Sequence, residues 1–241
     1  MKTRIGTGVL LAVCAAFSWS GALASTTNCL NPAHYLKTGG SHPLSLAEPA
    51  EDRVYLRFQT GWASKYECEG LDLWDGSLCA FVPEIQYREW VGKIWYGVST
   101  DHQNHAELKY RLDYVKELGN WTVMPWYEHS FVFPGDKGIP RPGLKTTYRF
   151  SDRWFAGTDL YWQYNNHTFR GYYAAFAGLH EEIADCVRVD ATIRYGYNGG
   201  YVGPVVHHGS NALDYNLSFT FRATSRLTCL LYTSDAADEA R

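Results

Sequence analysis

Long apolar runs are missing from this chain once its first two dozen residues are passed. A helix that crosses a bilayer needs about 20 consecutive apolar residues, so a helical membrane protein is excluded. Charge of one sign is missing too. Lys and Arg number 22 against 25 Asp and Glu, and the formal net charge of −3 speaks against a nucleic-acid partner. Methionine occurs twice and proline nine times, and the prolines are expected mostly in loops. Six cysteines show no C-x-x-C spacing, which argues against a structural metal site. No G-x-S-x-G signal for a nucleophile occurs, so neither enzymatic activity nor a cofactor is expected.

What the chain does have is aromatic side chains, 16% of its residues, set into alternating patterns. Ala106, Leu108, Tyr110, Leu112 and Tyr114 fall on one side of a period of two, and Glu107, Lys109, Arg111 and Asp113 on the other. A period of two is the β-strand period. Five further stretches repeat the pattern, each with an oily face and an ionic one. The mean hydropathy of −0.31 suits a chain whose alternate strand residues are polar.

The first residues resemble an export signal. Lys2 and Arg4 supply the charge, Val9 to Phe17 the apolar stretch, and Ala22-Leu23-Ala24 the small-x-small cleavage site. Residues 1–24 are therefore expected to be removed. Residues 25–52, with Pro32, Gly39, Gly40, Pro43 and Pro49, have no sustained period and are expected to form an extended arm. Residues 53–228 carry the strands. Expected spans run from about Arg53 to Trp62, Cys79 to Arg88, Lys93 to Ser99, Ala106 to Tyr114, Trp121 to Phe131, Leu144 to Phe150, Trp154 to Tyr164, Phe169 to Leu179, Val187 to Tyr197 and Leu213 to Arg222. An eleventh starts after Arg226. Short turns (Trp90–Gly92, Glu117–Asn120, Ser151–Arg153, Ala223–Arg226) alternate with longer loops (Tyr66–Leu78, Thr100–His105, Val132–Pro142, Asn198–Asn211). That alternation belongs to an up-and-down meander with all its long loops at one end.

From Cys229 to Glu239 the pattern changes. The segment resembles translated sequencing-adapter read-through, so residues 229–241 are expected to be an artefact and the natural sequence to be truncated near Thr228. Bacterial barrels carry an even number of strands; ten visible and an eleventh begun imply twelve in the intact parent.

Two orientations of the oily face are open. Turned inward, it would be the core of a soluble secreted β-protein that binds lipid or sugar. Turned outward, it would meet lipid, and the chain would be an all-β, antiparallel up-and-down transmembrane barrel. Several strands reach the 9–11 residues needed to span at a tilt. Trp62, Trp121, Trp154, Trp162, Tyr164, Tyr195 and Tyr197 sit towards strand ends, as in an interfacial girdle. The oily faces carry no charge, as a cost of about 2–4 kcal/mol per mid-membrane Arg or Lys demands. The outward orientation is therefore expected, in the outer membrane of a Gram-negative bacterium.

Trp62-Ala63-Ser64-Lys65-Tyr66 with Glu69-Gly70 and Asp75-Gly76 resembles the S-K-Y…G…(S/D)-D-G segment of the uncharacterised "Gcw" conserved-hypothetical family, exported proteins of Gram-negative bacteria regarded as outer-membrane barrels. Trp95-Tyr96-Gly97 and Asn198-Gly199-Gly200-Tyr201 are similar to features of the same family. The resemblance implies the layout of about Val54 to Thr228 and assigns no catalytic or ligand residue.

The ionic face is where function is expected. Arg57, Glu84, Glu107, Lys109, Arg111, Asp113, Lys145, Arg149, Asp159, Arg188, Asp190, Arg194, Asp214 and Arg222 are the candidate lumen-lining residues. The cations slightly outnumber the carboxylates, so an open lumen would be a narrow channel for small polar or anionic solutes. If the charges pair, the barrel is plugged and is a structural or surface-interaction barrel. Outer-membrane lipid is the expected partner in either case. Cys68 and Cys79 bracket one loop and are expected to form a disulfide worth roughly 3 kcal/mol; Cys29 with Cys186 is the remaining pair. Asp101, His102, His105, His207 and His208 are the most metal-like residues, and polar loops are commonly rich in such side chains. Glu67, Glu69, Asp72 and Asp75 lie in the loop closed by the expected disulfide and more simply face solvent than form a catalytic pair. His129 and His167 lie near strand ends, one beside Ser130, with no nucleophile motif around them.

Overall fold

Alternation at period two builds strands, and the described residues contain no helix. The computed structural model describes residues 17–19, 54–63, 66–68, 71–74, 77–100, 106–135, 138–165, 168–184, 186–199, 210–222 and 227–238. In chain order the strands are β1 (Phe17–Trp19), β2 (Val54–Ala63), β3 (Tyr66–Cys68), β4 (Leu71–Trp74), β5 (Leu78–Tyr87), β6 (Trp90–Ser99), β7 (Ala106–Tyr114), β8 (Lys116–Leu118), β9 (Trp121–Phe133), β10 (Ile139–Arg149), β11 (Trp154–Asn165), β12 (Thr168–Ala184), β13 (Val187–Asn198), β14 (Ser210–Arg222) and β15 (Leu227–Asp238).

The long strands form one antiparallel up-and-down sheet. Pairing runs β2–β5–β6–β7–β9–β10–β11–β12–β13–β14–β15, while β3 and β4 make a small separate sheet. β1 pairs with β15 (Ser18 opposite Thr228, Trp19 opposite Leu227) and also with β2 (Phe17 opposite Thr60 through Trp19 opposite Phe58). From Thr228 to Asp238 the chain stays in register with β14, so the segment set apart by its sequence is part of the sheet's hydrogen bonding.

Two connections differ from expectation. The β5–β6 turn is Arg88-Glu89 rather than Trp90–Gly92. Arg88 takes a φ of 52°, and Trp90 stands opposite Tyr87 in the ladder. The earlier turn lets the Trp90 ring pack on Tyr114 of the next strand, with centroids 4.9 Å apart. The expected loop from Val132 to Pro142 is largely strand, since β9 continues to Phe133 and β10 begins at Ile139.

That second difference carries Pro140 and Pro142 into a strand, beside Pro83 and Pro125 in strands that were expected. Each lacks the amide that a ladder needs, and the ladders break where those amides would be. Phe81 opposite Tyr96 is followed by Glu84 opposite Lys93, with Pro83 in the gap. The β10–β11 ladder starts at Gly143, one residue after Pro142. β7 and β8 are one strand cut in two opposite Pro125. Asp113 pairs with Trp126 and Lys116 with Val123, in one continuous register. The amide of Val115 turns the other way, to the Glu89 carbonyl at 2.8 Å. Tyr114 therefore points its backbone groups at Pro125, which has no N–H to give.

The burial of the sheet is the reverse of that in a water-soluble domain. Among the described residues 12 hydrophobic side chains are buried against 19 polar or charged ones, and 28 large hydrophobics are exposed. Val54, Leu56 and Phe58 on β2, Ile85 on β5, Ile94 on β6, Tyr110 and Leu112 on β7 and Leu217 on β14 all lie on the open side.

Candidate functional site

The site is the buried ionic face. Register fixes it: residues directly opposite in neighbouring antiparallel strands place their side chains on the same face. Arg57 stands opposite Glu84, Glu84 opposite Lys93, Lys93 opposite Arg111, Arg111 opposite Glu128, and Glu128 opposite Arg141. A single row of charges thus crosses six strands with signs that mostly alternate.

The distances make it a ladder. Arg57 Nη1 lies 2.8 Å from Glu84 Oε1, and Lys93 Nζ is 3.9 Å from the other Glu84 oxygen. Lys93 Nζ is 2.7 Å from Asp113 Oδ2, while Arg111 Nε donates to Asp113 Oδ1 at 2.6 Å. Arg111 Nη1 is 3.9 Å from Glu128, and Arg141 Nη1 donates to the same carboxylate at 3.1 Å. Arg141 Nε reaches on to Gln163 at 3.3 Å. Beside the row, Glu107 accepts from Ser130 Oγ at 3.0 Å and pairs with Lys109 Nζ at 3.2 Å.

A second cluster faces it from β10 to β14. Lys145 is opposite Asp159, and Arg194 is opposite Asp214. Arg194 also lies 3.6 Å from Asp159. Asp159 Oδ1 and Asp214 Oδ1 accept no hydrogen bond among the described residues. Arg188 pairs with Asp190 at 3.0 Å, with His180 opposite that carboxylate in the ladder.

Four of the cations are held from a second side by aromatic rings. Lys109 sits 4.6 Å from the Trp95 ring centroid, Arg111 4.0 Å from Trp126, Lys145 4.9 Å from Phe176 and Arg194 5.2 Å from Tyr172. These are cation–π distances. Each ring covers a glycine: a Cβ at Gly97, Gly143, Gly157 or Gly196 would overlap Trp95, Trp126, Phe176 or Tyr172 respectively. The absent side chain lets the ring approach the backbone, and the cation stacks above it. Trp126, Tyr161 and Tyr172 continue from ring to ring, with centroids 5.4 and 5.1 Å apart.

The expected residues fall into place unevenly. Glu84, Glu107, Lys109, Arg111, Asp113, Lys145, Asp159, Arg194 and Asp214 are buried. Arg57, Arg188 and Asp190 are partly buried members of the same face. Arg149 is at the turn end, half-exposed and paired with Glu117 at 3.3 Å. The side chain of Arg222 lies outside the described residues, as do Asp101, His102, His105, His167, His207 and His208 and the side chains of Glu67, Glu69, Asp72 and Asp75. The alternation did not yield Lys93, Glu128 and Arg141, nor the inward Trp95, Trp126, Tyr161 and Tyr172. In Trp126-Tyr127-Glu128-His129 two aromatics adjoin, so period two is hidden; Thr122 and Ser130 at matching parity are the signal that recovers Glu128.

The side chain of Cys68, expected to bridge to Cys79, lies outside the described residues. Cys79 carries a free thiol, and so does Cys186. Cys79 alternates with buried Leu78 and Ala80, which puts it on the outer apolar side with Phe81 and opposite Trp62. Among the described residues no group of three His, Cys, Asp or Glu side chains is arranged to hold a metal ion. Comparison with family models, with curated proteins and with solved structures returns no match.

Proposed function

We propose that this chain is a bacterial outer-membrane β-barrel that meets lipid with its aromatic and aliphatic face and keeps its interior closed by paired charges. At neutral pH it serves as a structural or surface-interaction barrel rather than as an open passage. One observation carries this: apolar side chains are outside and ionic ones inside. Leu56 is 59% exposed and Leu112 48%, whereas Asp113 is 0% and Lys109 2% exposed. In water such an outer surface would far exceed the apolar patch a soluble monomer tolerates. In hydrocarbon it is the ordinary arrangement for strands, whose backbone groups are satisfied by their neighbours.

The same numbers favour a closed interior over a channel for small polar or anionic solutes. A water-filled lumen would leave its lining charges accessible, whereas Glu84, Lys93, Arg111, Asp113 and Glu128 are buried. Buried cations and carboxylates nearly balance: Lys93, Lys109, Arg111, Lys145 and Arg194 stand against Glu84, Glu107, Asp113, Glu128, Asp159 and Asp214. A soluble lipid- or sugar-binding β-protein would need the opposite burial.

Expression with membrane fractionation tests this. The protein is expected in the membrane pellet, resistant to high salt and alkaline washing and released only by detergent. Recovery in the soluble fraction, or release by salt alone, would overturn it.

A further inference from the structure

We propose that the interior is a latch held by carboxylates, and that acid opens it to small inorganic anions. This rests on the closed-barrel reading above.

The side chains that fill the interior are of two kinds. The aromatic plates Trp95, Trp126, Phe176 and Tyr172 lie against the wall over glycines, and Lys109, Arg111, Lys145 and Arg194 stack on them. What ties those cations to one another across strands is the carboxylates. Asp113 joins Lys93 to Arg111, Glu128 joins Arg111 to Arg141, Glu84 joins Arg57 to Lys93, and Asp159 faces both Lys145 and Arg194. Around Asp113 the facing charged groups are Lys93 of β6 and Arg111 of its own strand, with Glu128 of β9 and Glu84 of β5 on the far sides of those cations. Asp190 faces Arg188 of its own strand and His180 of β12.

Protonating a carboxylate removes the attraction and leaves the cations. Lys93, Lys109, Arg111, Lys145 and Arg194 would then face one another uncompensated, with Arg57, Arg141 and Arg188 around them. Hydrated, parted carboxylates take up protons more readily than ion-paired ones, so proton uptake accompanies opening, and falling pH favours the open state. Acid leaves the ring stacks in place, because their cations stay protonated. They hold four cations at the wall, which keeps the opened interior positively charged and selects anions.

The experiment uses the purified full chain in planar bilayers and in liposomes of neutral phospholipid, with potassium chloride as the probe. Little conductance is expected at about pH 7, and a rise of about tenfold or more at about pH 4, with chloride carrying most of the current. The double variant Asp113→Asn, Glu128→Gln mimics protonation and is expected to conduct at about pH 7. If it does not fold, judged by loss of the parent's β-sheet circular dichroism, Glu107→Gln takes its place with a smaller rise. Failure to float with liposomes sinks the membrane reading. Insertion with equal conductance at both pH values sinks the closed interior. Insertion with silence at both, or a cation-selective current in acid, sinks the latch alone.

Discussion

Asp113 is the residue on which the ladder turns. Its two oxygens hold Lys93 at 2.7 Å and Arg111 at 2.6 Å, and it has no exposure to water. A buried carboxylate between two cations is not by itself a source of stability, because all three ions gave up hydration. Its removal is another matter, since it strands two buried positive charges. Asp113→Ala is expected to lower unfolding stability by about 3–5 kcal/mol, measured by urea titration in detergent micelles. A loss under about 1 kcal/mol would mean that water already reaches Lys93 and Arg111. At this scale the sequence was partly legible. Charges separated by two within β7 announce their shared face, whereas Lys93, Glu128 and Arg141 join the ladder only through register, which links residues that are far apart in sequence. The inward aromatics were missed for a chemical reason. A Trp that serves as a plate for a cation belongs on an ionic face, and hydropathy alone assigns it to the oily one.

At the scale of the strand, position and direction were legible from alternation, and boundaries were not. Pro140 and Pro142 hid the start of β10, because proline is read as a loop marker. In β5, β9 and β10 it instead removes single ladder bonds while the chain remains extended and paired on its other side. The β7–β8 interruption is the clearest case, being one strand with a gap that its neighbour imposes. Pro125→Ala supplies the missing donor, and because the side chain at 125 is on the exposed face the buried side is unchanged. The new amide at position 125 is expected to bond to the Tyr114 carbonyl and to exchange slowly, alongside its neighbours, in hydrogen-exchange measurements. Fast exchange at that amide would show that the interruption has another cause. The Arg88-Glu89 turn, two residues before the Gly-containing segment, was likewise hidden. It depends on Arg88 adopting a left-handed φ that a sequence reader reserves for glycine.

The whole molecule is decided by which medium touches Ile94, Tyr110 and Leu112. Alternation gives two faces but no sign, because a soluble sandwich and a lipid-facing sheet share the same period. The sign comes from burial, which requires knowing which side of the sheet the fold covers. A single substitution separates the two media. Ile94 sits near the middle of β6 on the exposed side, opposite Tyr110. Were water its surroundings, Ile94→Arg would shift stability by no more than about 0.5 kcal/mol, as exposed substitutions do. In hydrocarbon the same change costs about 2–4 kcal/mol near the midplane and far less towards the ends. Arg at Ile94 and at Trp90, beside the turn, should therefore differ, with the first variant folding into liposomes poorly and the second nearly as well as the parent. Equal yields for the two would mean that no depth-dependent medium surrounds the sheet, and the exposed aromatic face would then need a protein partner to cover it.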